Sequence, residues 1–172
     1  PKWYWYLPLF LLMWGILIFV SWLVKKMPLI TGGGIPQTRG VINGRVAYKH
    51  PFIEVIAKFV GGILALSTGL SLGREGPSVQ IGSYVGCLVS KWGRVLAGER
   101  KQLLAAGAGA GLAAAFAAPL ASSLLVIESI ERFDAPKTAI TTLLAGVVAG
   151  GVASWLFPIN PYFQIDAIVP GM

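Results

Sequence analysis

The chain has 172 residues, of which 55% are hydrophobic and only 12% charged, with 14 Lys and Arg against 7 Asp and Glu. That composition excludes an ordinary soluble domain, and the basic balance meets lipid headgroups and not nucleic acid, because Lys25, Lys26, Lys91, Arg100 and Lys101 sit at the ends of apolar stretches. One Cys, Cys87, and one His, His50, exclude a disulfide framework and an all-Cys/His metal site within the chain; Cys87 reads as a small packed apolar residue.

Four stretches are long and free of charge: 3–24, 59–73 (extending back toward Phe52), 102–127 and 138–165. A bilayer core needs about 20 apolar residues as helix, so the first, third and fourth are each long enough to cross it. The first predicted helix runs from Trp3 to Val24, with Trp3, Tyr4, Trp5 and Tyr6 as an interfacial belt and Lys25 and Lys26 at the far end. It is too long, and too aromatic at its start, for a secretory signal. Pro28 ends it, and Thr31-Gly32-Gly33-Gly34-Ile35-Pro36 cannot continue it. Non-helical backbone at membrane depth survives only where protein or a water-filled cavity satisfies its polar groups.

A second apolar segment, Phe52 to Leu72, meets Gly73-Arg74-Glu75-Gly76-Pro77, after which Ser78 to Ser90 is apolar again but too short to span alone. This predicts a helix broken within the membrane. Gln102 to Ala118 is rich in Gly and Ala and is interrupted by Pro119, which either starts a further helix or kinks one packed helix continuing to Glu128. The last predicted span is Pro136 to Leu156. Gly82 and Gly86, Gly107 and Gly111, and Gly146 and Gly150 have the spacing of close helix contacts. The loop 25–50 carries five Lys and Arg and 158–172 carries none, which places the loop inside and the tail outside and leaves the middle loop undecided. The start at Pro1 and the stop at Met172 suggest a fragment.

Two breaks share one grammar, a Gly-rich turn and then a Pro suited to the first helical position: Gly34-Ile35-Pro36 and Glu75-Gly76-Pro77. Each is expected to start a helix at depth, with free N–H groups and the positive dipole end turned inward, an arrangement that favours an anion. Glu75 is the sharpest residue. A carboxylate inside an apolar segment costs a few kcal/mol and needs a partner or a purpose. It either pairs with Arg74 or occupies the place of an incoming anion at the helix N-terminus, where protonation would release it and open the path. Burial raises and the helix end lowers its proton affinity, and the sequence leaves the balance open.

Gly73-Arg74-Glu75-Gly76-Pro77-Ser78-Val79-Gln80 resembles the Gly-Arg-Glu-Gly-Pro motif of the CLC chloride channels and antiporters. Gly32 to Pro36 is similar to that family's Gly-Ser-Gly-Ile-Pro motif, and Gly111-Leu112-Ala113-Ala114-Ala115-Phe116 through Pro119-Leu120 to its following segment. The resemblance spans Gly32 to Glu131 in the family's order. It implies an all-α, multi-pass integral membrane protein of tilted and broken helices in a cell inner or plasma membrane. It further implies a homodimer with a pore in each subunit, built from two inverted halves, of which residues 1–172 would be most of the first; the second half's Gly-x-Phe-x-Pro motif and pore tyrosine lie outside them. By that likeness Gly33, Gly34 and Ile35, with Gly76 and Pro77, line the anion site for chloride or a similar small anion, and Glu75 is the gating and proton-accepting glutamate. The Ala-rich and final helices would approach the dimer interface. No cofactor or metal is implied.

Two positions depart from the family pattern. Gly33 stands where a Ser usually offers a hydroxyl to the anion, and Ser129 stands, directly after Glu128, where antiporters commonly carry an inward-facing proton glutamate. Glu128 and Glu131 either serve that proton route or are charged groups at a helix end beside Arg132. The expected function is chloride transport, coupled to protons and gated by Glu75. The alternatives are a passive voltage- or pH-gated chloride channel and, from a different class, an intramembrane enzyme with Glu75 as general base. The enzyme reading asks for a second catalytic group or metal ligands at membrane depth, whereas His50 lies in a basic loop.

Overall fold

The computed structural model describes residue 4, residues 6–131 and residues 136–157. Among them every regular element is a helix, with no strand. Seven α-helices follow in order: α1 Tyr6–Lys26, α2 Ile35–Ile42, α3 Pro51–Ser67, α4 Glu75–Trp92, α5 Ala97–Phe116, α6 Pro119–Val126 and α7 Pro136–Leu156, with a 3₁₀ turn at Pro28–Ile30 and a π turn at Ile127–Glu131. Helices α1 and α7 are both long and apolar enough to cross a membrane. The belt residues Trp3 and Trp5, Arg132 and the tail 158–172 lie outside the described residues.

Helix α5 is the centre of the bundle, sandwiched between α4 on one side and α6 and α7 on the other. Its small residues make this possible. A Cβ on Gly82 would strike the Gly107 carbonyl, one on Gly86 the Leu103 carbonyl, and one on Gly111 the Ser78 carbonyl, so α4 and α5 touch backbone to backbone. On the other side Gly146 meets Ser123 and Gly150 meets the Pro119 ring. All three small-residue pairs are therefore close helix contacts, as their spacing predicts. Around this seam Val79, Tyr84, Cys87, Leu104, Ala108 and Val126 form the buried core. By contrast, α1 buries none of its residues and rests at the edge against α3.

Three expected boundaries move. The apolar segment from Phe52 ends as helix at Ser67 instead of Leu72, because Gly69, at φ +77°, turns the chain into a left-handed conformation, and residues 70–73 follow without regular structure. The Gly/Ala helix begins at Ala97 instead of Gln102, where the Leu96 N–H donates to the Glu99 carboxylate at 3.4 Å. The stretch 102–127 is two helices: α5 closes at Phe116 with Ala117 left-handed at φ +51°, and Pro119 opens α6. Of the two readings left open at Pro119, a new helix is correct and a kink is not.

Candidate functional site

The glycine turn after the 3₁₀ segment folds as its sequence demands. Gly32 and Gly34 take positive φ, +62° and +92°, which a side chain resists, and Gly34 caps α2. Pro36 lies within the first turn of α2, where the missing N–H is no loss. The Ile35 and Gln37 N–H groups belong to that same first turn and have no acceptor within the helix.

The second turn differs from expectation in one respect. Helix α4 begins at Glu75 and not at Pro77, with Arg74 at its cap, so Pro77 is the third helical residue. The first-turn N–H groups need no carbonyl partner, so a proline here does not stop the helix from starting earlier. Glu75 consequently stands at the positive end of α4 itself, as its first residue.

The two turns meet directly. A Cβ on Gly76 would overlap the Gly33 carbonyl, and one on Gly34 would lie 2.7 Å from the Gln80 Oε1 and 2.8 Å from the Gly76 carbonyl oxygen. The head of α2 therefore abuts the head of α4, backbone against backbone at Gly33 and Gly76. Gln80, fully buried one turn into α4, braces the junction by donating to the Leu29 carbonyl at 2.6 Å and to the Tyr84 hydroxyl at 3.3 Å.

Lys58 is the site residue that sequence reasoning missed. Its ammonium reaches from α3 to donate to the Ile30 carbonyl at 2.8 Å and the Gly32 carbonyl at 2.7 Å, with the side chain only 4% exposed. A buried charge survives because its hydrogen bonds are made by backbone dipoles. The result is a cation clamped on the glycine turn. The available signal was its place at the centre of an otherwise apolar segment, where a charge is as costly as that of Glu75.

A cavity of about 400 Å³ opens beside the junction, and its walls include Leu17, Ile30, Gly33, Lys58, Gly73 and Pro77. Gly33 has nothing within 4 Å of where its Cβ would be, so its missing side chain leaves open space. Glu75 is exposed in this chain and makes no hydrogen bond or ion pair with another described residue. The Arg74 guanidinium lies 4.8 Å over the Phe116 ring.

The structure thus brings Gly33, Gly34, Ile35, Gly76 and Pro77 together, with Glu75 adjoining them. Glu128 and Ser129 lie in the π turn that extends α6 and packs against α2. Glu128 is exposed and Ser129 half-buried. Among the described residues no three His, Cys, Asp or Glu side chains gather as a metal-binding group.

Comparison with known proteins agrees with this geometry. Residues 16–170 match the family described as voltage gated chloride channel. The chain is 38% identical over 154 residues to the H(+)/Cl(-) exchange transporter ClcA of Vibrio cholerae serotype O1, covering 86% of this chain and 33% of the relative. It is equally similar, at 38% over 154 residues, to the protein of that name from Citrobacter koseri, covering 87% of this chain and 32% of the relative. A crystal structure of a slow cyanobacterial Cl-/H+ antiporter superimposes with a TM-score of 0.85 at 31% identity, covering 94% of this chain and 39% of that one. The chain therefore spans about a third of the length of these relatives. Members of the family are transporters or channels, and the intramembrane-enzyme alternative falls with it. With the two abutting glycine turns, the fold and the matched residues all in agreement, the chain belongs to the voltage-gated chloride channel family.

Proposed function

We propose that the chain supplies the first half of a pore-forming unit that exchanges chloride for protons, with Glu75 as its gate. The observation that carries this is the backbone contact between Gly33-Gly34 and Gly76, which sets the positive ends of α2 and α4 side by side next to an open cavity. Two helix N-termini and the Lys58 ammonium make this the most anion-favouring place in the described chain. Gly33, Gly34, Ile35, Gly76 and Pro77 line the anion path, and Glu75, the first residue of α4, carries its carboxylate where the α4 dipole would otherwise hold an anion. In its ionised form it competes with chloride for that position. On protonation it loses the competition and withdraws, so one group both opens the path and takes up a proton.

The relatives' names, H(+)/Cl(-) exchange transporter and Cl-/H+ antiporter, support coupled exchange. Ser129 favours the second reading, a passive chloride channel, because a hydroxyl does not hold an exchangeable proton near neutral pH. The test is external pH during a chloride gradient across proteoliposomes of the full-length protein. Exchange drives protons uphill; chloride flux with no proton movement establishes the channel. The protein works as a homodimer in a cell membrane, multi-pass, with the basic loop 25–50 inside.

A further inference from the structure

In the first turn of α3 lies a second carboxylate. Glu54 is 6% exposed, and its Oε1 accepts the His50 backbone N–H at 3.3 Å while its Oε2 is buried with no hydrogen-bond partner. A buried carboxylate oxygen without a donor is costly when ionised, so the group calls for a purpose.

Its surroundings are those of a proton-handling group. Helix α3 packs against α4, and the Tyr48 and Tyr84 hydroxyls, from the loop before α3 and from α4, lie within electrostatic range of Glu54. The two phenol rings pack with centroids 4.1 Å apart. Tyr48 donates to Ser83 at 3.4 Å and lies 3.4 Å from the Thr38 hydroxyl. Tyr84 accepts from Gln80, so its own O–H remains available to donate. Lys58, one turn along α3, is turned to the Ile30 and Gly32 carbonyls and does not pair with Glu54, and His50 offers only its backbone.

Along one face of α4 the positions 84, 80 and 76 succeed one another at helical spacing. Tyr84 packs on Tyr48, Gln80 braces the glycine junction, and Gly76 adjoins Glu75. Buried polar side chains on α4 therefore lead from the Tyr48–Tyr84 pair to the glycine junction, independent of Ser129. Glu54 stands near the basic loop 25–50, read as inside, while Glu75 follows the far end of α3.

Resting on the exchange reading above, we propose that Glu54 is the inward-side proton carboxyl of this protein, doing what Ser129 has no acid to do. Its Oε2 takes a proton from the inner aqueous phase to form the neutral acid. The acid gives that proton up toward the Tyr84 side and returns to the carboxylate, so one proton enters and one leaves.

The test measures protons moved per chloride in proteoliposomes of the full-length protein, for wild type, Glu54→Gln and Ser129→Ala. Glu54→Gln retains the acceptor for the His50 N–H and removes only the exchangeable proton, so protons per chloride should fall about a hundredfold or more, the smaller end of what a positioned acid contributes. Ser129→Ala should keep the wild-type ratio. An unchanged ratio in Glu54→Gln overturns the proposal and leaves exchange intact, whereas a wild type that moves no protons overturns exchange and the proposal with it. Should Glu54→Gln fold too poorly to carry chloride, Tyr84→Phe provides the second reading: a lowered ratio with chloride flux retained supports the route, and an unchanged ratio overturns it.

Discussion

Gly33→Ser isolates what the proposed anion site lacks. Its Cβ position is open, with no atom within 4 Å, and its φ is not in the left-handed range, so the substitution costs little in the fold. A hydrogen bond to a charged group contributes roughly 1.5–3 kcal/mol. Ordering the serine side chain takes back about 0.5–1 kcal/mol. The net of about 0.5–2.5 kcal/mol corresponds to chloride binding roughly twofold to seventyfold tighter. Calorimetric titration of chloride into the detergent-solubilised full-length protein reads this directly. The neighbouring Gly34→Ser is the control: at φ +92°, with Gln80 and the Gly76 carbonyl inside 3 Å of its Cβ, it should break the junction and abolish binding. Unchanged or weaker binding in Gly33→Ser would refute the reasoning and show that backbone N–H groups alone set the site.

Lys58→Met keeps a similar volume but removes two charge-assisted hydrogen bonds from the glycine turn, and should destabilise the protein by about 3 kcal/mol or more while weakening chloride binding. Thermal unfolding in detergent, with and without chloride, checks both effects, and an unchanged midpoint contradicts them. Gly82→Ala should cost about 1–3 kcal/mol by forcing α4 from the Gly107 carbonyl, whereas Gly62→Ala, with open space around it, should stay within about 0.5 kcal/mol of wild type. Equal unfolding midpoints for the two variants would show that the α4–α5 contact is not close.

Much of this fold was legible because glycine and proline act locally. The turn at Gly32 to Pro36, the break before α4, and the last helix at Pro136–Leu156 stand where those residues predict them. Helix starts were harder to read. Pro77 is compatible with any of the first turn's positions, so it marked the start of α4 only to within two residues. Pro119 left two conformations open, and the left-handed Ala117 that decides between them carries no sequence signal. Lys58 and Glu54 were overlooked for a different reason. Each reads as an ordinary charge in a segment whose average is apolar, and what gives them meaning is a partner, or the lack of one, from residues 26 and 28 positions away for Lys58 and from α4 for Glu54. Glu75 stood out alone because the Gly73 to Pro77 run around it breaks an apolar stretch within the chain itself.

The account stands or falls on Glu75. Glu75→Gln removes the charge that competes with the anion at the head of α4 while keeping the side-chain shape. Chloride efflux from proteoliposomes of the full-length protein, measured across a range of pH, is the direct measurement. The wild type should respond steeply to pH and Glu75→Gln should conduct chloride nearly independently of it; a variant that retains the wild-type pH dependence would contradict the gate.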